Sequence, residues 1–269
     1  MIVDFHTHTF PDKVAPKAIG KLAVISGITP YTDGTVADTL ASQGKTGVDV
    51  CVCLNIATAP GQEHTINNTA AAVCQEHKGH LVAFGSVHPE SPNALEELAR
   101  IKELGIPGVK LHPDYQNFIV DESRMDPIYD ALAQLEIPTV FHSGWDCYSP
   151  DKVHCPPVLA AKVAKRHPKL KMILAHFGGL RRWEDVLDHV AGIPNVYMDT
   201  AMAATYELSY ELAGKILAKH PLENILLGSD CPWEDPTKSI AWVEGLPVSD
   251  DQKEAILGGN ALRLLTSGQ

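Results

Sequence analysis

Short apolar runs alternate with longer amphipathic segments along the whole chain. The runs fall at residues 2–5, 48–57, 81–87, 106–111, 137–142, 170–176, 194–200 and 224–230. Each is rich in Val, Ile and Leu, and most are bounded by Gly, Pro or Asn. Unbroken apolarity over so few residues is the pattern of strands buried on both faces, as in a parallel sheet. Segments with helical periodicity lie between the runs. The clearest is 91–104, where Ser91 reads as an N-cap, Pro92 as the first helical residue and Gly105 as the stop. Others are predicted at 63–78, 125–136, 156–167, 182–190 and 206–220. The longer gap after the first run holds two more, near 13–25 and 35–45, and further helices follow Asp230.

Eight strand–helix repeats in 269 residues predict a (β/α)8 barrel of the α/β class, one domain over residues 1–269. A doubly wound open sheet is the competing architecture. It would bind a nucleotide at a Gly-rich first turn, and neither GxGxxG nor GxxxxGK[ST] occurs here.

Charge narrows the partners. The 22 Lys and Arg against 33 Asp and Glu give a net charge of −11. Neutralising a phosphate backbone needs a basic surface, so nucleic acid is not an expected partner. A local basic pocket for an anionic small molecule stays compatible with that balance. No run approaches the roughly 20 apolar residues of a membrane-spanning helix. The opening Met-Ile-Val-Asp-Phe-His lacks the basic and then apolar regions of a secretory leader, which predicts a cytoplasmic protein. The six cysteines form no CxxC pair, and Cys51 and Cys53 sit in an apolar run as small buried residues. Nothing in the composition demands a homodimer, an assembly common among barrels of this kind.

The polar residues that end the runs carry the chemical information. In a (β/α)8 barrel the C-terminal strand ends surround the active-site mouth. The first run ends in His6-Thr7-His8, the fourth carries Lys110 and His112, the fifth ends at His142, the sixth at His176 and the eighth at Asp230. His88 lies near the end of the third. Residues i and i+2 of an extended segment leave the same face, so His6 and His8 can both point into the mouth. A lone HxH is a weak motif. Joined by His142, His176 and Asp230, it predicts a bound divalent metal. His64, His77, His80, His154, His167, His189 and His220 fall on predicted helices or loops and are expected to face solvent. His88 and His112 read as structural or substrate-side histidines. Tyr115, Trp145, Arg181, Arg182 and Trp233 follow strand ends and form candidate pocket walls. Arg181 can fork onto a substrate carboxylate, or the two arginines can simply pair with Glu184 or Asp185. The segment from Gly27 to Gly34 is the candidate lid.

Seven pieces in order, 4-DFHTHTFPD-12, 83-AFGSVHPE-90, 108-GVKLHPD-114, 138-PTVFHSG-144, 174-LAHFGG-179, 228-GSDCPW-233 and 258-GGNALRLL-265, resemble the amidohydrolase superfamily. The nearer resemblance is to its amidohydrolase-related branch, which includes aminocarboxymuconate-semialdehyde decarboxylase, resorcylate decarboxylase and several lactone hydrolases. The resemblance implies that His6, His8 and His142 bind the metal and that Asp230 touches the metal and its water. It leaves His176 as either a ligand of a second ion or a metal-side acid/base. Lys110 is either carboxylated and bridging two ions, as in two-metal members such as dihydroorotase, or an ordinary ammonium that holds a substrate carboxylate or snorkels out of the barrel. His112, Tyr115, Trp145 and Arg181 join Lys110 as candidate substrate contacts.

The expected cofactor is one or two divalent ions per chain, Zn²⁺ or Mn²⁺. A bound ion lowers the pKa of its water toward about 7. With Asp230 moving the proton and His176 assisting, the leading expectation is a metal-dependent hydrolase of a small amide, lactone or other ester. The alternative is a metal-dependent non-oxidative decarboxylase of a small carboxylic acid, which uses nearly the same ligands. A metal-binding protein without catalysis ranks last, since Asp230 and His176 are both present.

Protein purified without chelator is expected to carry about one Zn²⁺ or Mn²⁺ per chain by elemental mass spectrometry. The double variant His6→Ala, His8→Ala should carry none. About two ions per chain would favour a carboxylated, bridging Lys110 instead.

Overall fold

The computed structural model describes residues 1–266. Among these, every apolar run contains a strand: β1 (Val3–Thr7), β2 (Val50–Leu54), β3 (Leu81–Phe84), β4 (Val109–Leu111), β5 (Thr139–Phe141), β6 (Met172–Leu174), β7 (Val196–Asp199) and β8 (Ile225–Leu226). All neighbours pair in parallel, β1 through β3 in one ladder and β4 through β8 in another. Backbone bonds join the two. Gly85 donates to Gly108 O, and Lys110 donates to Gly85 O, both at 2.9 Å. On the other side Phe5 donates to Leu227 O, Asp230 to His6 O and His8 to Cys231 O, each at 2.7 Å. The sheet therefore closes into the (β/α)8 barrel.

The helices α1 (Ala15–Ser26), α2 (Val36–Thr46), α3 (Glu63–Glu76), α4 (Ala94–Glu103), α5 (Asp126–Gln134), α6 (Pro157–Arg166), α7 (Trp183–Asp185) and α8 (Tyr210–Leu217) connect the strands. After β8 come α9 (Pro236–Glu244), α10 (Asp250–Glu254) and α11 (Asn260–Thr266). Inside the barrel Val3, Phe5, Val52, Phe84, Val140, Ile173 and Leu226 pack together, with Phe5 and Phe84 edge to face at 5.5 Å. A larger apolar layer fills the space between strands and helices. Strands buried on both faces explain the unbroken apolar runs.

Local expectations shift where tertiary contacts compete. The helix expected from Ser91 starts at Ala94, and Ser91 is not its cap. The Ser91 carbonyl accepts the Ala94 amide in a turn, and its hydroxyl accepts the Gly61 amide from the preceding loop. The helix expected from 206 starts at Tyr210, capped by Ser209. The segment 182–190 begins as α7 and widens into a π-helical turn over Val186–Val190.

Three histidines expected in solvent are buried: His154, His167 and His220. His167 lies between Asp126 and Asp130, at 3.0 and 2.9 Å, and fastens α6 to α5. His154 meets Asp114 at 2.9 Å. His220 accepts the Gly192 amide at Nδ1 (3.2 Å) and donates from Nε2 to Val196 O (3.1 Å). The sequence places them on amphipathic segments, and only the fold supplies partners from other elements.

Both bonds of His220 suit the neutral ring, and burial pushes its pKa down to about 4. The unfolded chain then binds more protons than the folded one between about pH 6.5 and 4. Folding stability should fall as pH drops through that window, on the order of 3 kcal/mol from this group. Urea midpoints against pH for the wild type and His220→Gln test this. The variant should lose that part of the slope.

Candidate metal centre and pocket

The C-terminal strand ends open into a cavity of about 590 Å³, ordinary for a small-molecule site. His6, His8, Lys110, His112, His142, His176 and Asp230 all line it. These seven expected residues are thus brought to one mouth from five strands, whereas Arg181, also expected at the substrate, is not among the residues that line it.

Three donor atoms converge most tightly. His6 Nε2 and His8 Nε2 lie 3.2 Å apart, and Asp230 Oδ1 is 3.3 and 3.1 Å from them. His176 can reach the same point together with His6 and Asp230. The second nitrogen of each ring is engaged. His6 Nδ1 bonds Asp199 Oδ2 at 2.8 Å, His8 Nδ1 bonds Leu54 O at 2.9 Å, and His176 Nδ1 approaches Ala201 O at 3.3 Å. A ring that donates from Nδ1 keeps its Nε2 lone pair free. This is how ligating histidines are held and oriented around a divalent ion. The donor set and its outer bonds therefore fit a divalent transition metal.

The backbone is bent to aim these groups. His176 and Asp230 both adopt left-handed φ, 61° and 68°. Non-glycine residues seldom do so unless their surroundings hold them there. The His176 amide donates to Asp199 Oδ1 (3.0 Å), and the Phe177 amide donates to Asp199 O (2.6 Å). Asp230 is fixed by its amide bond to His6 O, and the preceding Ser229 is fixed by Asp4. Asp4 Oδ1 accepts the Ser229 amide and Oδ2 its hydroxyl, at 2.9 and 2.5 Å.

His142 stands slightly apart. Its Nδ1 is 3.0 Å from His176 Nε2, while its Nε2 lies 3.3 Å from Asp146 Oδ2. Tyr115, His112 and His142 form a parallel stack, with ring centroids 3.8 and 4.4 Å apart. His112, His142 and Asp146 make a second close group of donors beside the first. Among the described residues, His142 Nε2 and Lys110 Nζ are buried and make no hydrogen bond. Buried polar atoms left open toward a cavity are what a ligand or ion satisfies.

Electrostatics follow from burial. Burial pushes Lys110 down to about 8, against the pull of Asp199, Asp230 and Asp146. Burial pushes His142 down to about 4 and Asp146 up to about 6. Burial also opposes charge on Asp230, yet His6 and His8 hold its carboxyl well below the usual range.

Two pocket expectations change. Helix α1 contributes Ala18, Lys21, Leu22 and Ser26 to the cavity wall. From the expected lid over Gly27–Gly34, only Ile28 reaches the cavity. Trp145 and Trp233 line the cavity, joined by Tyr206. Arg182 pairs with Asp185 at 2.7 Å, and Arg181 instead lies over Trp145. Asp199, Asp4 and Asp146 were missed by the sequence reading. Asp199 closes the seventh apolar run, so asking what ends that strand too would have found it. Asp146 lies four residues after His142 and offered no comparable signal.

An amidohydrolase family model matches residues 3–266. The chain belongs to the amidohydrolase family. A 2-keto-4-carboxy-3-hexenedioate hydratase from Sphingobium is 24% identical over 220 residues, 65% of this chain. The match spans 63% of that relative's length. The fold is similar to 5-carboxyvanillate decarboxylase from Sphingomonas paucimobilis, at TM-score 0.73 and 17% identity over 98% of both chains. It is also similar to a manganese-bound 5-carboxyvanillate decarboxylase from Novosphingobium aromaticivorans. There the TM-score is 0.69 and the identity 14%, over 98% of this chain and 97% of that one. This amidohydrolase chain is an enzyme of its superfamily, and among its described residues no helix is long and apolar enough to cross a membrane.

Asp199→Asn keeps the shape but weakens the acceptor behind His6. Zn²⁺ affinity by chelator competition should fall about 10- to 100-fold, with circular dichroism unchanged. Unchanged affinity would remove Asp199 from the metal's support.

Proposed function

We propose that this amidohydrolase is a metal-dependent non-oxidative decarboxylase, acting on a small carboxylic acid that carries an oxygen next to its carboxylate. The observation that carries this reading is Lys110. Its Nζ is fully buried on the cavity floor and has no hydrogen-bond partner among the described residues. An unpaired buried ammonium is costly, and a substrate carboxylate relieves that cost. A neutral amide or lactone gives it nothing comparable, so the hydrolytic expectation falls to second place. The activities of the distant relatives, two decarboxylases and a hydratase, support the same ordering.

His6, His8, His142 and Asp230 would hold one divalent ion, Zn²⁺ or Mn²⁺, with His176 beside it. A bound ion would supply a positive charge that orients the carboxylate and its neighbouring oxygen. Lys110 binds the carboxylate as an ammonium. Tyr115, Trp145 and Tyr206 clamp a flat substrate, and His112 braces His142 through the ring stack.

Asp230 takes the proton of the oxygen next to the carboxylate and returns it to the carbon that loses CO₂. The carbon–carbon bonding pair becomes the new carbon–hydrogen bond. His176 and His142, joined at 3.0 Å, keep a polar edge along that path.

Zn²⁺- or Mn²⁺-loaded protein is to be assayed against hydroxybenzoates for CO₂ release, with D₂O labelling of the product. The expected product carries one deuterium at the vacated carbon. Asp230→Asn should slow the reaction about 10²- to 10⁴-fold while keeping most of the metal. Turnover of lactones or amides without CO₂ from any carboxylate would restore the hydrolase reading.

A further inference from the structure

The cavity wall divides by strand. Lys110, His142, His176, Asp230 and every tyrosine and tryptophan of the lining come from β4 to β8 or the loops that follow them. The lining that follows β1 and β2 beyond His8 is different. It includes Ala18, Leu22, Ile28, Ile56 and Ile66, and among the described residues it holds no carboxylate. β1 and β2 are paired neighbours, so the segments that follow them stand side by side at the mouth.

This side presents aliphatic surface that the fold itself does not use. Ala18 and Leu22 lie four residues apart on α1 and so share the face that lines the cavity. Leu22, Ile56 and Ile66 are half-buried and belong to neither apolar layer of the barrel among the described residues. The polar neighbours are engaged locally. Ser26 Oγ accepts the Ile28 amide at 3.2 Å, and Gln62 Oε1 accepts the Thr58 and Ala59 amides at 3.0 and 3.2 Å. Asn55 Nδ2 donates to Phe84 O at 2.9 Å. Lys21, the one lysine on this side among the described residues, is exposed. Such a side chain lays its stem on apolar surface and keeps its ammonium in water. The cavity of about 590 Å³ is of the size that encloses a drug-sized molecule, more than one hydroxybenzoate ring fills.

We infer that the substrate acid carries an apolar tail, an alkyl or aryl group, and that Leu22, Ile56 and Ile66 are the residues that select it. This rests on the reading of Lys110 as the anchor of the carboxylate. The polar side of the mouth takes the end that reacts, and the aliphatic side takes the end that adds affinity. Apolar surface open to water inside a binding cavity favours a ligand that covers it. Each methylene buried there is worth about fourfold in affinity, so a tail that buries two already gains about tenfold.

Calorimetric titration of the Zn²⁺-loaded protein with benzoate, meta- and para-butylbenzoate and the matching carboxypropylbenzoates tests this. The carboxypropyl acids end a tail of the same length in a charge. At least one butylbenzoate should bind the wild type about tenfold or more tightly than benzoate, and more tightly than its carboxypropyl counterpart. Leu22→Asn and Ile66→Asn should each cut that advantage about threefold or more, with benzoate within about twofold and circular dichroism unchanged. Equal affinity for benzoate and both butylbenzoates in the wild type overturns the inference. So does tighter binding of the charged tails, which would make Lys21 the recognising group. An advantage that neither variant reduces overturns it too. Lys110→Met separates the two readings, because it should weaken benzoate and butylbenzoate alike and preserve their ratio. If it leaves both affinities untouched while Leu22→Asn still removes the butyl advantage, the anchor at Lys110 fails and the tail site stands. No binding of any acid overturns both.

Discussion

Asp199 is a buried carboxylate at the end of β7 that forms an ion pair with no lysine or arginine among the described residues. Its oxygens accept the His6 ring at 2.8 Å, the His176 amide at 3.0 Å and the Ala201 amide at 3.1 Å. Burial works against its charge, yet His6 and these donors hold the carboxyl below its ordinary value. One side chain thereby fixes a ring from β1 and a bent backbone after β6. The geometry of the metal group follows from that bond set. Without it, His6 could turn its other nitrogen to the mouth, and the left-handed turn at His176 would lose its main restraint.

The barrel was legible because its strands are buried on both faces. That burial leaves apolar runs that no local signal contradicts. The mouth was legible for a related reason. Polar residues such as His6, His142, His176 and Asp230 stand out at the ends of those runs. What the sequence hid depends on partners far along the chain. His167 and His220 look like surface residues until α5 and the β7 end arrive beside them. Ser91 is a sound cap by local rules, but its hydroxyl meets the Gly61 amide instead. Asp146 and Asp199 belong to a different difficulty. Each is a lone acid with no motif, and its role is set by the ring it faces.

The role of Lys110 depends on distant partners in the same way. From sequence alone, Lys110 admits a carboxylated bridge, a surface-seeking amine or an anion anchor. The fold closes it in completely and gives it no hydrogen-bond partner among the described residues. Its meaning then comes from what is near it: an ionised Asp230, a stack of three rings and an aromatic rim.

The mouth is also built unevenly. On one side the β5 and β6 loops share a backbone ladder so close that a Cβ on Gly144 would lie 2.1 Å from the Leu180 amide nitrogen. The cavity is also lined by α1, of which only Ala15 and Ile19 are buried. The ladder behaves as a fixed jaw, and α1 as the plate that can be lengthened, tilted or exchanged at small cost to the core. Descendants of this barrel can therefore change the size of the small molecule they admit by altering α1. The chemistry on the fixed jaw need not be rebuilt.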